Sequence, residues 1–290
     1  MAKHYLSIIR LFEHGTIPYT GDINISRIKK QLNAEFSLSA SGFIETDGYV
    51  YNKNDVFEEL GREDFLQRLP YHIGIWENKS IVALLEENIF NRTALRSEIK
   101  KFNNDKSFDE FFSPFFAVPY NTVSRALLNE ANFTDLGELL LYEDFLQPAE
   151  RELGFKSTRL FLDENIYLLK NTSEVNLDAT LAKLSPWTNG GWHDFINYLP
   201  YEFDSTKNDL VVYLISLTVK IQHSHKKVCR IISNELVQLT DLSPDLSDTI
   251  ENNDKVYKGR NVKQKTGSGS ANYWWVIWII LLLIRGLAKC

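Results

Sequence analysis

Glu63-Asp64-Phe65-Leu66-Gln67 recurs, letter for letter, as Glu143-Asp144-Phe145-Leu146-Gln147, at an offset of 80. The approach to each copy also matches. Asp55-Val56 with Glu58 and Leu60 precedes the first, and Asp135-Leu136 with Glu138 and Leu140 precedes the second. Further on, Leu85-Glu86-Glu87-Asn88-Ile89-Phe90 faces Leu162-Asp163-Glu164-Asn165-Ile166-Tyr167 at an offset of 77, and Val118-Pro119-Tyr120 faces Leu199-Pro200-Tyr201 at an offset of 81. Three blocks in one order imply a tandem duplication of a helical unit, with copies at 54–133 and 134–213. The pattern also suggests a partial unit before them, since Ile17-Pro18-Tyr19 with Ser26-Arg27 resembles Val118-Pro119-Tyr120 with Ser124-Arg125.

Outward from the repeat the chain reads as mainly α. Ile25, Ile28, Leu32 and Phe36 share one side of a helix over 24–36. Asp47-Gly48 between β-formers at 43–51 predicts a type I′ hairpin, an insertion relative to the repeat, inside an N-terminal segment 1–53. Asn54 and Asp55 start a helix that Gly61 ends, and a second short helix over 62–69 stops at Pro70. Five phenylalanines between Phe108 and Phe116, around Pro114, point to a packed core. Residues 208–240 read as one long closing helix, followed by a flexible basic linker over 241–272 that contains Gly267-Ser268-Gly269-Ser270.

Residues 273–284, Tyr-Trp-Trp-Val-Ile-Trp-Ile-Ile-Leu-Leu-Leu-Ile, carry no charge. A helix apolar all round belongs in a core or in lipid. Tyr273, Trp274, Trp275 and Trp278 suit a bilayer–water interface at one end, and Arg285 and Lys289 suit snorkelling at the other. With Arg285 snorkelling, the anchor covers 273–288, about 24 Å of helix at 1.5 Å per residue. That is short against a hydrocarbon core of about 30 Å. Lys255, Lys258, Arg260, Lys263 and Lys265 precede it. They predict a body on the cytoplasmic side and lysines leaning on anionic lipid.

The formal net charge is −6. Residues 253–290 hold seven basic side chains and one acidic, so the body before them stands at −12. An acidic body argues against nucleic acid as a partner. Two cysteines, Cys229 and Cys290, imply a reducing compartment rather than a disulfide framework, and the N-terminus does not read as a signal peptide.

Candidate chemistry is sparse. His225 and Cys229 sit one helical turn apart, with His223 on another side, and no fourth metal ligand is suggested, so a polar helix face is the plainer reading. His193 after Gly190-Gly191-Trp192 reads as a helix start, and Glu63-Asp64 and Glu143-Asp144 as helix-orienting acids. No P-loop, dinucleotide fingerprint or nucleophile elbow occurs. The expectation is therefore a tail-anchored, single-pass membrane protein without a cofactor, whose acidic body binds a protein partner or a second copy. The alternatives are an effector whose tails assemble into a pore, favoured by the short span, and a membrane-tethered enzyme, which a polar, water-accessible pocket would support.

Overall fold

The computed structural model describes residues 4–258 other than Ala40 and Asn103. The tail 273–288, its interface residues Tyr273, Trp274, Trp275, Trp278, Arg285 and Lys289, and the linker cations Arg260, Lys263 and Lys265 lie outside the described residues. Among those described, the protein is mainly helical, with one two-stranded hairpin, and no helix is long and apolar enough to cross a membrane.

The chain divides between Leu160 and Phe161 into two compact units. In chain order, the first holds α1 (Ile8–His14), α2 (Ile25–Leu38), β1 (Phe43–Thr46), β2 (Tyr49–Asn52), α3 (Lys53–Gly61), α4 (Phe65–Trp76), α5 (Lys79–Glu87), α6 (Arg92–Ile99), α7 (Lys106–Asn129), α8 (Phe133–Leu140) and α9 (Pro148–Gly154). The boundary falls within α10 (Lys156–Lys170). The second unit continues with α11 (Leu177–Lys183), α12 (Ser185–Thr188), α13 (His193–Asn197), α14 (Asp204–Ile221), α15 (Lys226–Leu236) and α16 (Pro244–Tyr257).

Local signals explain most starts and stops in unit 1. Asn24 and Asn91 accept from the backbone N–H three residues on, capping α2 and α6. Asn88 ends α5 in the left-handed conformation, at φ 57°. The hairpin turns on Asp47 (φ 51°) and Gly48 (φ 80°), both in the positive-φ region that a type I′ turn requires, and Thr46 pairs with Tyr49. Ile28, Leu32 and Phe36 of α2, with Ile44 and Tyr51 of the hairpin, join α1, α3 and α4 in one core cluster.

The prolines behave differently from the sequence reading. Pro70 lies inside α4, which runs on to Trp76, and α7 passes through both Pro114 and Pro119. Each interior proline costs about 3 kcal/mol. Phe108, Phe111, Phe112, Phe115 and Phe116 of α7 are all buried, and burying a phenylalanine contributes roughly 1.5–3 kcal/mol. Burial therefore outweighs the broken ladder. Phe108 stacks on Phe102 with ring centroids 4.0 Å apart, and Phe112 stacks on Phe116 at 4.9 Å.

Unit 2 is centred on two buried tryptophans. The Trp187 indole donates to Asn165 Oδ1 at 2.8 Å, and the Trp192 indole donates to the Trp187 carbonyl at 3.0 Å. The stretch read as one closing helix is two. α14 stops at Ile221, and α15 begins at Lys226 after a turn in which the His225 N–H donates back to the Ile221 carbonyl at 2.8 Å. Part of the expected linker is helical too, since α16 buries Leu246 and Ile250 and packs on α15.

The repeated letters take different local structure in their two places. Glu63 to Gln67 leads into α4, whereas Glu143–Phe145 is a 3-10 turn. Pro119 is interior to α7, whereas Pro200 lies between α13 and a 3-10 turn at Tyr201–Phe203.

Candidate functional site

The residues named from sequence do not converge. Lys255 pairs with Glu251 (3.8 Å) and Lys258 with Asp254 (2.7 Å), each one turn back along the chain. Cys229 is buried, its thiol lies 3.3 Å from the Thr218 carbonyl, and burial pushes it up to about 11. His225 turns instead to Ser224 Oγ at 2.9 Å and Asp178 at 3.7 Å. Asp64 pairs with Arg62 (3.0 Å), and Glu143 with Arg151.

His193 has a structural partner. Glu235, from α15, accepts the backbone N–H of Trp192 (2.8 Å) and of His193 (3.0 Å), and lies 3.0 Å from His193 Nδ1. Burial would raise this carboxyl, but hydrogen bonds from the backbone of Gly191 and from His193 and Trp192 hold it below the usual range. An ionised Glu235 thus closes the turn whose glycines, Gly190 and Gly191, both have φ near +80°. This is a fold-holding arrangement.

One concave feature with convergent polar groups and aromatic walls is in unit 1. A cleft of about 550 Å³ opens between the segment before α1, the end of β2, α3 and α4. Tyr5, Tyr51 and Phe115 form aromatic walls, with the Tyr5 and Phe115 rings edge-to-face at 5.3 Å. Asp55, Glu58 and Glu59 bring three carboxylates from α3, the first two on exposed side chains. Helical spacing puts 55, 58 and 59 on one face.

His72 lines the cleft from α4 at only 2 % exposure. Its Nδ1 is 3.4 Å from the Tyr5 hydroxyl and its Nε2 3.3 Å from Glu59 Oε1. Burial holds His72 below the ordinary imidazole range despite Glu59, so the ring is neutral at pH 7. Glu59 is held low: burial opposes this, but the His72 hydrogen bond and the nearby charges, including Arg68 at 3.0 Å, prevail. Tyr5 is pushed far up by burial and by the charge of Glu86, so it stays a neutral phenol.

Behind the cleft, Arg10 is buried at 6 % exposure. It donates to both carboxylate oxygens of Glu86 (3.1 and 2.5 Å) and to the Tyr51 hydroxyl (3.3 Å). Its guanidinium lies 3.8 Å from the centre of the Tyr49 ring and 5.1 Å from that of Trp76. Tyr51 also donates to the Ser7 carbonyl at 2.8 Å, which fixes the cleft wall.

Sequence reasoning missed this constellation. Tyr5 and His72 are 67 positions apart, and Arg10 and Glu86 are 76 apart. Ending the second helix at Pro70 also left His72 outside any helix. Among the described residues no group of three or more His, Cys, Asp or Glu side chains is placed to hold a metal ion. A comparison with protein-family models, with curated proteins and with solved structures finds no match for the chain.

Proposed function

We propose that this is a membrane-held binding protein. Residues 273–288 anchor it, the cations Arg260, Lys263 and Lys265 lie along anionic headgroups, and the acidic helical body offers the unit 1 cleft to a ligand. The observation that carries the reading is the cleft, whose aromatic walls and convergent polar groups are those of a small-ligand or side-chain site. The apolar run with its aromatic entry and basic flank supports the anchor. Lys255 is paired with Glu251 within α16, but an exposed pair of this spacing is worth only about 0.3–0.5 kcal/mol, so lipid phosphate can compete for it. The repeated blocks are consistent with an ancestral duplication whose copies have since diverged in local structure.

The test is carbonate extraction of membranes from cells producing the full chain or residues 1–258. The full chain stays in the pellet and the truncation is released. A full chain that carbonate strips from the membrane overturns the anchor. Release of a trapped dye by the full chain from vesicles, lost on truncation, would mark a pore instead.

A further inference from the structure

We infer that a groove along α6 is a binding site for a nucleoside monophosphate, with the phosphate held at Arg92, Arg96 and Lys100 and the nucleoside beyond them. The groove lies in unit 1 and shares no lining residue with the cleft at α3 and α4.

The spacing of the cations is the first ground. Arg92, Arg96 and Lys100 follow one another at four-residue steps on α6 and the turn after it. They line a hollow of about 430 Å³ with Thr93, Ser97 and Glu138. Like charges one turn apart oppose helix formation, and a local rule broken in this way marks a place where function is served. Arg92 Nη1 lies 3.2 Å from Asp135, while among the described residues Arg96 and Lys100 have no ion pair. Counting Asp135, three cations meet two carboxylates, and the two cations without an ion pair are the ones a phosphate dianion matches. Thr93 offers a hydroxyl beside them. That of Ser97 donates to the Ala94 carbonyl at 2.8 Å and has to turn to reach a phosphate oxygen.

The second ground is what adjoins this hollow. Arg96 and Lys100 also line a neighbouring one of about 480 Å³, whose wall is Ile99, Leu141, Tyr142 and Phe145. An apolar, partly aromatic wall suits the face of a base. The other polar groups there are Asn104, Lys106, Asp109 and Asp144. At this end the acids already press on one another, since burial and the charges of Asp105, Asp144 and Glu110 raise Asp109. A second anion is unwelcome here, whereas ribose hydroxyls and base N–H groups donate what carboxylates and the Asn104 amide accept. The groove is therefore polarised. Cations and hydroxyls stand at one end, acceptors on an apolar wall at the other, and Arg96 and Lys100 are common to both. A phosphate ester of a nucleoside carries its groups in the same order.

The experiment titrates the labelled full chain, in a phosphatidylcholine nanodisc, with the 5′-monophosphates of adenosine, guanosine, cytidine and uridine, and with glycerol 3-phosphate and adenosine as the separate halves. It follows the backbone amide resonances of Thr93, Ser97 and Asn104. At least one nucleotide is expected to shift all three saturably and to bind at least about tenfold more tightly than either half. Arg96→Gln with Lys100→Gln, both exposed, should weaken that nucleotide about tenfold or more without lowering the melting temperature, and added salt should weaken it too. Asp144→Asn should weaken the nucleotide and leave glycerol 3-phosphate binding as it was. Glycerol 3-phosphate that binds as tightly as every nucleotide overturns the nucleoside end, and adenosine that binds as tightly as its monophosphate overturns the phosphate end. Nucleotide binding untouched by the double variant removes the groove from the account. No shift from any of the four nucleotides up to about 10 mM overturns the proposal outright.

Discussion

Arg10 Nη2 lies 2.5 Å from Glu86 Oε2, in a site where the Glu86 carboxylate has no exposed surface. The pair joins α1 to α5 and carries the Tyr51 wall with it. Two charges taken out of water are expensive, and breaking such a pair leaves an uncompensated ion. Arg10→Met or Glu86→Leu alone is expected to cost about 3–5 kcal/mol in urea unfolding. The double variant should cost clearly less than the sum. If the singles are each below about 1 kcal/mol, the pair does not hold unit 1 together.

His72 makes unit 1 sensitive to mild acid. Its folded value is depressed by burial, so below the unfolded value of about 6.5 the unfolded chain binds the extra proton. Its stabilisation is present above that value and is lost as pH falls from about 6.5 towards the lower folded value. Glu59, also depressed, adds a second loss, but only as pH drops below the ordinary carboxylate range. The melting temperature of unit 1 should therefore fall between pH 7 and about 5, and His72→Gln should flatten that part of the curve. An unchanged slope in the variant would remove His72 from the account.

Gly74 sits inside α4, where alanine is ordinarily better by about 1 kcal/mol. Here a Cβ would stand 2.8 Å from Phe102 Cζ, and Phe102 is stacked on Phe108. Overpacking of this kind costs typically about 1–3 kcal/mol, so the clash should win. Gly74→Ala is expected to lower the thermal midpoint, and Gly74→Ala with Phe102→Leu to recover part of it. A stabilised single variant would mean that the ring moves freely.

Glu235 tests the second unit by itself. Its carboxylate takes two backbone N–H groups of the Trp192–His193 turn and the His193 ring. Hydrogen bonds to a charged group are worth about 1.5–3 kcal/mol, and Glu235→Ala leaves buried donors unpaired. We expect a loss of about 2–4 kcal/mol, with faster amide exchange at Trp192 and His193. Unaltered exchange there would show that the turn is held by its glycines alone.

The amino-acid sequence by itself determined the features that depend on neighbours in the chain. Caps at Asn24 and Asn91, the Asp47-Gly48 turn, the apolar side of α2 and the helical class all follow from local hydrogen bonding and periodicity. It also carries the grounds for the proposed anchor, because an uncharged run of this length is a property of composition. Tertiary structure decided the rest. That the helices run through prolines at 70, 114 and 119 depends on how much apolar surface the residues beyond them bury, which no window of sequence states. Matching letters at 63–67 and 143–147 became a helix start and a 3-10 turn because their surroundings differ. The cleft is the clearest case. Tyr5, Tyr51, Glu59 and His72 come from four separate segments, and only packing brings a phenol, an imidazole and a carboxylate within hydrogen-bonding reach and shifts their proton affinities.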